Sequence, residues 1–431
     1  MYQTSQSVYV AHLHIGTPPV LNEIILDTLL SDEIFIQSKD CVNCNNATYD
    51  PSQSSSVQVV GESHMTFTTG KYDINSQNIT ENVCFDDTQI NCAQNLQIQA
   101  VKGFGVNDKG MFKTNGIFGL APALHPESNR LLTQLQNQGL IDKRVVSFFL
   151  SNSSNMQSTL QIGGFNSSLL QKGEEKKGFG MHWLPSISQT QWQIEIQEIY
   201  YGGFSFYNSN LTLSLIDSSY PFIIMPNKTF QVFLGMMKKI DENLKCIGDV
   251  CKITKTCESI SKKLEPIKLQ LGDSFMFGLP ASEYLIQDRD NSSQCILGLS
   301  TNTFATDQNT FVLGHVFMRQ FYTVLDFETH RIGLGLHLYS RGFVEKVKSY
   351  RTHVIVLIII VILLMVLAIF LGQKLYKQRQ VKRLAETEEK ILRSNTLQSA
   401  VINELEHFQE RQSLLERQHQ TNQGNNYGRG N

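Results

Sequence analysis

The stretch Ile25-Leu26-Asp27-Thr28-Leu29-Leu30-Ser31-Asp32-Glu33-Ile34-Phe35 returns in altered form 190 positions later, as Leu215-Ile216-Asp217-Ser218-Ser219-Tyr220-Pro221-Phe222-Ile223-Ile224. Each copy runs through two aliphatic residues, an acid, a hydroxyl residue and a short apolar segment. An acid on the end of a strand otherwise built for burial is costly unless it is hydrogen-bonded or put to use. Two such acids at matching points of two halves predict a pair brought face to face. The echo extends further: Gly119 of Ile117-Phe118-Gly119 lies 92 residues after Asp27, and Gly314 of Val312-Leu313-Gly314 lies 97 after Asp217. A glycine in a strand lets another backbone pass close. The repeat predicts two related, mostly β lobes, over residues 1–185 and 186–345.

Of the 431 residues, those before the apolar run described below are mixed in composition and enough for two ordinary domains with real cores. With 18% charged residues, 41% hydrophobic residues and a formal charge of −2, the chain lacks the basic surplus that nucleic-acid binding needs. Nucleic acid is excluded as a partner.

All eight cysteines, at 41, 44, 84, 92, 246, 251, 257 and 295, precede residue 300. An even number in a chain with other marks of the secretory route predicts disulfides. Short spacings suggest Cys41 with Cys44, Cys84 with Cys92 and Cys246 with Cys251, which leaves Cys257 with Cys295. The competing reading of Cys41-Val42-Asn43-Cys44 is a redox or zinc site. It lacks a following helix for thioredoxin chemistry and a second Cys-x-x-Cys for zinc.

Residues 354–371, VIVLIIIVILLMVLAIFL, carry no polar side chain. At 1.5 Å per residue such a helix covers about 27 Å, close to the hydrocarbon thickness of a bilayer. Apolar on every face, it reads as a single membrane span over 354–372 rather than a core helix. Arg341, Lys346, Lys348 and Arg351 precede the span, and Lys374, Lys377, Arg379, Lys382 and Arg383 follow it, a slight bias toward a cytosolic C-terminus. Seven glycosylation sequons begin at Asn46, Asn78, Asn152, Asn166, Asn210, Asn227 and Asn291, all before the span. Cysteines and sequons together place the N-terminal part outside, lumenal or extracellular, and residues 373–431 in the cytosol. Within that tail, Leu384, Ile391, Val401, Leu405, Phe408 and Leu415 form a broken heptad stripe over 384–418, predicting a solvated helix able to take a coiled-coil partner. Asn422 to Asn431 are expected to be disordered.

Along the soluble part, Ser7 to Ile15 alternates as a strand should and turns at Gly16-Thr17-Pro18 into the strand ending at Asp27. Val57 to Phe85 reads as a hairpin with Thr69-Gly70-Lys71 at its tip. Asn129 to Gly139 is a short amphipathic helix and Asn227 to Asn243 a second one after Pro226. Trp192 to Ile196 alternates again, and Phe321 to Leu325 with Arg331 to Leu336 makes a closing hairpin.

The chain resembles the pepsin family of aspartic proteases. The family's opening strand and turn stand here as His14-Ile15-Gly16-Thr17-Pro18-Pro19, and its first catalytic strand as Ile25 to Phe35. Its Asp-Pro-Ser-x-Ser-Ser run is similar to Asp50-Pro51-Ser52-Gln53-Ser54-Ser55-Ser56. Asn115 to Ala121 and Leu160-Gln161-Ile162-Gly163-Gly164 follow, and Leu313 to Asp326 is similar almost residue for residue. The match runs in order from about Val8 to Leu338, so the resemblance implies a bilobal, mostly β fold, here with a C-terminal transmembrane helix and a helical tail. A bridge from Cys257 to Cys295 agrees with one that the family carries. Family members usually follow a leader and a pro-segment. Met1-Tyr2-Gln3-Thr4-Ser5-Gln6 is no leader, so the expectation is a beginning missing from this sequence or an unusual entry route.

The resemblance also implies a chemistry. Two carboxylates close together cannot both ionise; they share a proton and activate a water between them as nucleophile. One takes the water's proton while the other polarises the scissile carbonyl, with no metal, no cofactor and no covalent intermediate. Asp27 and Asp217 are the implied pair, and Thr28 and Ser218 the hydroxyls that lock the two loops together. Phe67, Thr68, Thr69 and Gly70 fall in the implied flap, with Phe67 where the family has tyrosine. The family writes Asp-Thr-Gly at both acids, whereas this chain has Asp-Thr-Leu at 27–29 and Asp-Ser-Ser at 217–219. Leu29 and Ser219 bring a Cβ to tightly packed loops, Leu30 replaces a serine, and His315 stands where aspartate is common. Two function classes follow. One is a membrane-anchored aspartic endopeptidase cutting polypeptides in an endolysosomal or vacuolar lumen or at the cell surface. The other is a degenerate relative that keeps the cleft as a peptide-binding or receptor module.

Overall fold

The computed structural model describes residues 2–3, 9–45, 47–66, 73–86, 90–105, 114–122, 131–151, 156–174, 178–248, 250–288, 291–301, 310–347 and 350–423. Residues 1–347 form one compact unit and 348–431 another.

The repeat seen in the sequence is a repeat of strand pairing. In the first half, the strand Val20–Ser31 carries Asp27 and lies parallel to Gly116–Ala121. That strand runs antiparallel to Ile34–Val42, which in turn lies parallel to Cys92–Phe104. In the second half Phe204–Ile216 lies parallel to Phe311–Leu313, which is antiparallel to Ile223–Met225, itself parallel to Leu299–Thr301. The same four-strand order of parallel, antiparallel and parallel pairs therefore occurs twice, each time inside an eight-stranded sheet. Central strands buried on both faces account for the continuous apolar runs Gly116–Ala121 and Phe311–Leu313, every residue of which is buried.

Close backbone passage explains the glycine after the second of these strands. A Cβ built on Gly314 would sit 2.4 Å from the carbonyl oxygens of both Tyr220 and Phe222, a separation that no side chain tolerates. In the first half a close passage of this kind is at Gly116, at the start of its strand rather than at Gly119, and a Cβ there would lie 2.2 Å from the Phe35 carbonyl oxygen.

A third, five-stranded antiparallel sheet runs in the order Thr159–Ile162, Val145–Phe149, Phe321–Asp326, Arg331–Leu336, Met181–Pro185. It draws strands from both sides of residue 185, so neither half is complete without chain from the other. Trp192, fully buried, adds a further link: its indole Nε1 donates to the Leu120 carbonyl at 2.7 Å. A small four-stranded sheet, Lys245–Ile247, Val250–Ile253, Cys295–Leu297 and Leu285–Gln287, is stapled by two of the four disulfides. Those four are Cys41–Cys44, Cys84–Cys92, Cys246–Cys251 and Cys257–Cys295.

The helix after Pro226 ends earlier than its sequence suggests, spanning Asn227–Lys238. Its continuation is taken over by Asp241, a buried carboxylate that accepts from the Thr254 backbone N–H at 2.8 Å and from the Thr254 hydroxyl at 3.0 Å. A side chain committed to those donors turns the backbone away from the helical path. The other helix covers Leu131–Asn137 and buries Leu131, Leu132 and Leu135.

Described by itself, the C-terminal unit is one helix, Tyr350–Gln423, of 74 residues. The apolar run and the heptad stripe belong to the same unbroken helix, which is long and apolar enough to cross a membrane. The expected disordered stretch falls largely on residues 424–431, outside the described residues.

Candidate active site

Both acids are delivered by the repeated strand order. Asp27 sits in Val20–Ser31 opposite Gly119, and Asp217 follows directly on Phe204–Ile216, its own N–H donating to the Leu313 carbonyl at 3.2 Å. Asp217 is 5% exposed and Asp27 is partly buried.

The hydroxyls next to the acids cross from one half to the other. Thr28 Oγ1 donates to the Ile216 carbonyl at 2.6 Å and accepts from the Ser218 backbone N–H at 3.0 Å. In return Ser218 Oγ donates to the Leu26 carbonyl at 2.8 Å. Thr28 and Ser218 are buried, so the pairings stand in place of water for backbone groups that have no other access to it.

Each carboxylate is held by its own loop. The Leu29 N–H donates to Asp27 Oδ1 at 2.7 Å and the Leu30 N–H at 3.3 Å. The Ser219 N–H and the Ser219 hydroxyl both donate to Asp217 Oδ1 at 2.7 Å. Leu29 and Ser219 occupy the positions where the Asp-Thr-Gly pattern has glycine. Neither is among the described non-glycine residues of positive φ, which are Asn43, Asn95 and His330. The backbone at these points is therefore open to any L-residue, and the donor that matters is the N–H. Ser219 contributes a second donor that glycine lacks.

Electrostatics act strongly on the pair. Burial raises the pKa of Asp27, and the Asp217 charge beside it raises it further, to about 7, against the hydrogen bonds from Leu29, Leu30 and Ser219. Asp217 is raised as well, by burial, against the Ser219 hydroxyl and the backbone N–H groups of Ser219 and Tyr220. Two acids that resist ionising together hold a shared proton at a pH where isolated carboxylates have lost theirs.

His315, noted in the sequence only as a replacement for aspartate, is fully buried behind the second acid loop. Its Nε2 lies 2.7 Å from the Ser218 carbonyl oxygen. An oxygen acceptor requires the proton on Nε2. Tyr9 from the other half stands edge-on to the imidazole, ring centroids 4.8 Å apart. Nothing in the sequence singled out Tyr9, because one aromatic in an alternating strand carries no mark of what it will face. Phe67, Thr68, Thr69 and Gly70 lie outside the described residues; the strands leading to them, Gln58–Thr66 and Asp73–Cys84, pair antiparallel as far as Thr66 opposite Asp73. Among the described residues no group of His, Cys, Asp or Glu side chains has the makings of a metal site.

Comparison with known proteins gives the family of this two-half fold and its two loop-bonded acids. A profile described as eukaryotic aspartyl protease matches residues 8–337, and the chain belongs to that family. It is similar to pepsin A of Suncus murinus, 25% identical over 338 residues that cover 76% of this chain and 80% of the relative. Gastricsin of Callithrix jacchus is 25% identical over 344 residues, covering 76% and 81%. Pepsin F of Oryctolagus cuniculus is 26% identical over 338 residues, covering 76% and 80%.

Proposed function

We propose that the protein is a membrane-anchored aspartic endopeptidase that hydrolyses polypeptides with a water activated between Asp27 and Asp217. The observation that carries this reading is the pair of acids, each held by N–H donors of its own loop, on two loops tied to each other by the crossing Thr28 and Ser218 hydroxyls. One carboxylate takes the proton of the attacking water and the other, protonated, polarises the scissile carbonyl. Thr28 and Ser218 fix the separation of the two loops, and Phe67, Thr68, Thr69 and Gly70 take the part of the flap over substrate.

The case for a degenerate, peptide-binding relative rests on the missing glycines and on Phe67 in place of the family's flap tyrosine. Both N–H donations are made without those glycines, which favours catalysis over a receptor role. Residues 354–371 serve as a single span, with the protease domain lumenal or extracellular, glycosylated on sequons before the span, and the helical tail in the cytosol offering a coiled-coil seam. An endolysosomal or vacuolar lumen suits a pair that must keep one proton.

The test is cleavage of an unfolded protein by the full chain in detergent between pH 3 and 6. Activity is expected for the native sequence and loss of it in Asp27→Asn and in Asp217→Asn. Cleavage that survives either change, or folded protein that cuts nothing across that range, overturns the enzyme reading; retained binding of a transition-state-mimicking peptide by an inactive native chain supports the receptor.

A further inference from the structure

We infer that the helix beyond the apolar run pairs with a second copy of this chain as a parallel, in-register, two-stranded coiled coil from Leu384 to Leu415. This rests on the reading of residues 354–371 as a span, and it names the partner for the seam that follows.

The seam is regular. Positions 384, 391, 398, 405 and 412 repeat every seven residues, and 387, 394, 401, 408 and 415 fall three after each, the 3.5-residue period of a coiled coil. All lie within the one helix Tyr350–Gln423. Leu384, Ile391, Val401, Leu405, Phe408 and Leu415 are between 54% and 64% exposed on the single chain. Helices of this kind owe most of their stability to packing an apolar face, and this face has no cover within its own unit.

What selects a second copy is the order of polar and apolar layers. Read along the seam they are Leu, Thr, Ile, Ser, Gln, Val, Leu, Phe, Gln, Leu. Parallel and in register, every layer meets itself: Gln398 meets Gln398 and Gln412 meets Gln412, each amide able to satisfy the other, while apolar layers meet apolar layers. In the fully overlapped antiparallel arrangement Gln398 would face Val401, and Ser394 would face Leu405. Buried polar groups without partners disfavour that pairing.

The flanks agree. In the parallel register Arg383 faces Glu388 of the second copy and Arg411 faces Glu416, opposite charges at both ends of the seam. Leu397 faces Ile402, which widens the apolar strip in the middle. Lys390 meets Asn395 and Glu404 meets Gln409, so no like charges oppose one another. The ion pair of Arg393 with Glu389 and the approach of His407 to Glu410 use positions off the seam. Two anchored copies leave the bilayer from the same face, so a parallel pair is also what anchoring allows.

The experiment uses the full chain in membranes and in detergent. All eight native cysteines are in disulfides, so one added cysteine is the sole thiol for a short bismaleimide. Leu405→Cys and Phe408→Cys are expected to cross-link into dimers, Asn403→Cys on the opposite face is not, and light scattering is expected to give the mass of two chains. Arg411→Glu should weaken the dimer by setting two acids together, and Arg411→Glu with Glu416→Arg should restore it. A single-chain mass, a mass of three or more chains, equal cross-linking through Asn403→Cys, or indifference to the charge swap overturns the proposal. Alkaline carbonate extraction reports the anchor separately: a chain that washes off membranes yet cross-links through Leu405→Cys refutes the span and leaves the seam standing.

Discussion

Thr28→Val keeps the shape of a fully buried side chain and removes its hydrogen bonding. The hydroxyl donates to the Ile216 carbonyl and accepts from the Ser218 N–H. Valine thus leaves a buried acceptor and a buried donor unpaired, on the backbone that carries Asp217. An orphaned buried group costs about 1–3 kcal/mol, so the pair costs about 2–6 kcal/mol, a large part of the 5–15 kcal/mol that typically holds a domain together. For a unit of residues 1–347 that is a fall in Tm of about 3–8 °C. The carboxylates are affected too, because a shift of about 1 Å in a catalytic group costs on the order of 100-fold in rate. Calorimetry of the full chain in detergent measures the first effect and cleavage of unfolded protein at acidic pH the second. Thr28→Ser, which keeps the hydroxyl, is the control and should recover most of both. A Thr28→Val protein that melts and cuts like the native one would refute the argument that these cross-half bonds hold the acids in place.

Four further substitutions probe the acids and the backbone around them. Because Asp27 is raised from 3.8 to about 7, the folded state holds its proton more tightly than the unfolded one; the associated stability is complete below about pH 4 and is lost as pH rises to about 7. Asp27→Asn should flatten that limb of a Tm-against-pH curve, and an unchanged curve would show that the acid is not raised. Ser219→Gly removes a hydroxyl that favours the charged form of Asp217, so the acidic limb of the cleavage profile should move to higher pH. Gly314→Ala places a Cβ 2.4 Å from two carbonyl oxygens and should abolish folded protein on an expression and melting assay, while Gly235→Ala, in a helix with nothing within 4 Å, should stabilise by about 0.5–1 kcal/mol.

The doubled acid motif, the glycines 92 and 97 residues beyond it, the cysteine pairs and the apolar run were all legible because each is a local pattern of residue types. They sufficed to predict a mostly β fold with a repeated strand pattern and to single out Asp27 and Asp217 as candidates. The substitutions at Leu29 and Ser219 were legible only as departures. Their consequence depends on φ and on where an N–H points, which residue identity does not specify. The early end of the helix after Pro226 was likewise hidden, since it depends on Asp241 finding Thr254 across a turn.

Residue order alone, then, determined that two acid-bearing strands exist, what flanks them, and that a long apolar helix follows. Tertiary structure decided how the halves interlock. Thr28 reaches Ile216, Ser218 reaches Leu26, Trp192 reaches Leu120 and Tyr9 meets His315, across separations from 72 residues to more than 300 in the chain. Local propensity cannot encode such meetings, because they form only when strands from both halves have been paired and the water between them removed.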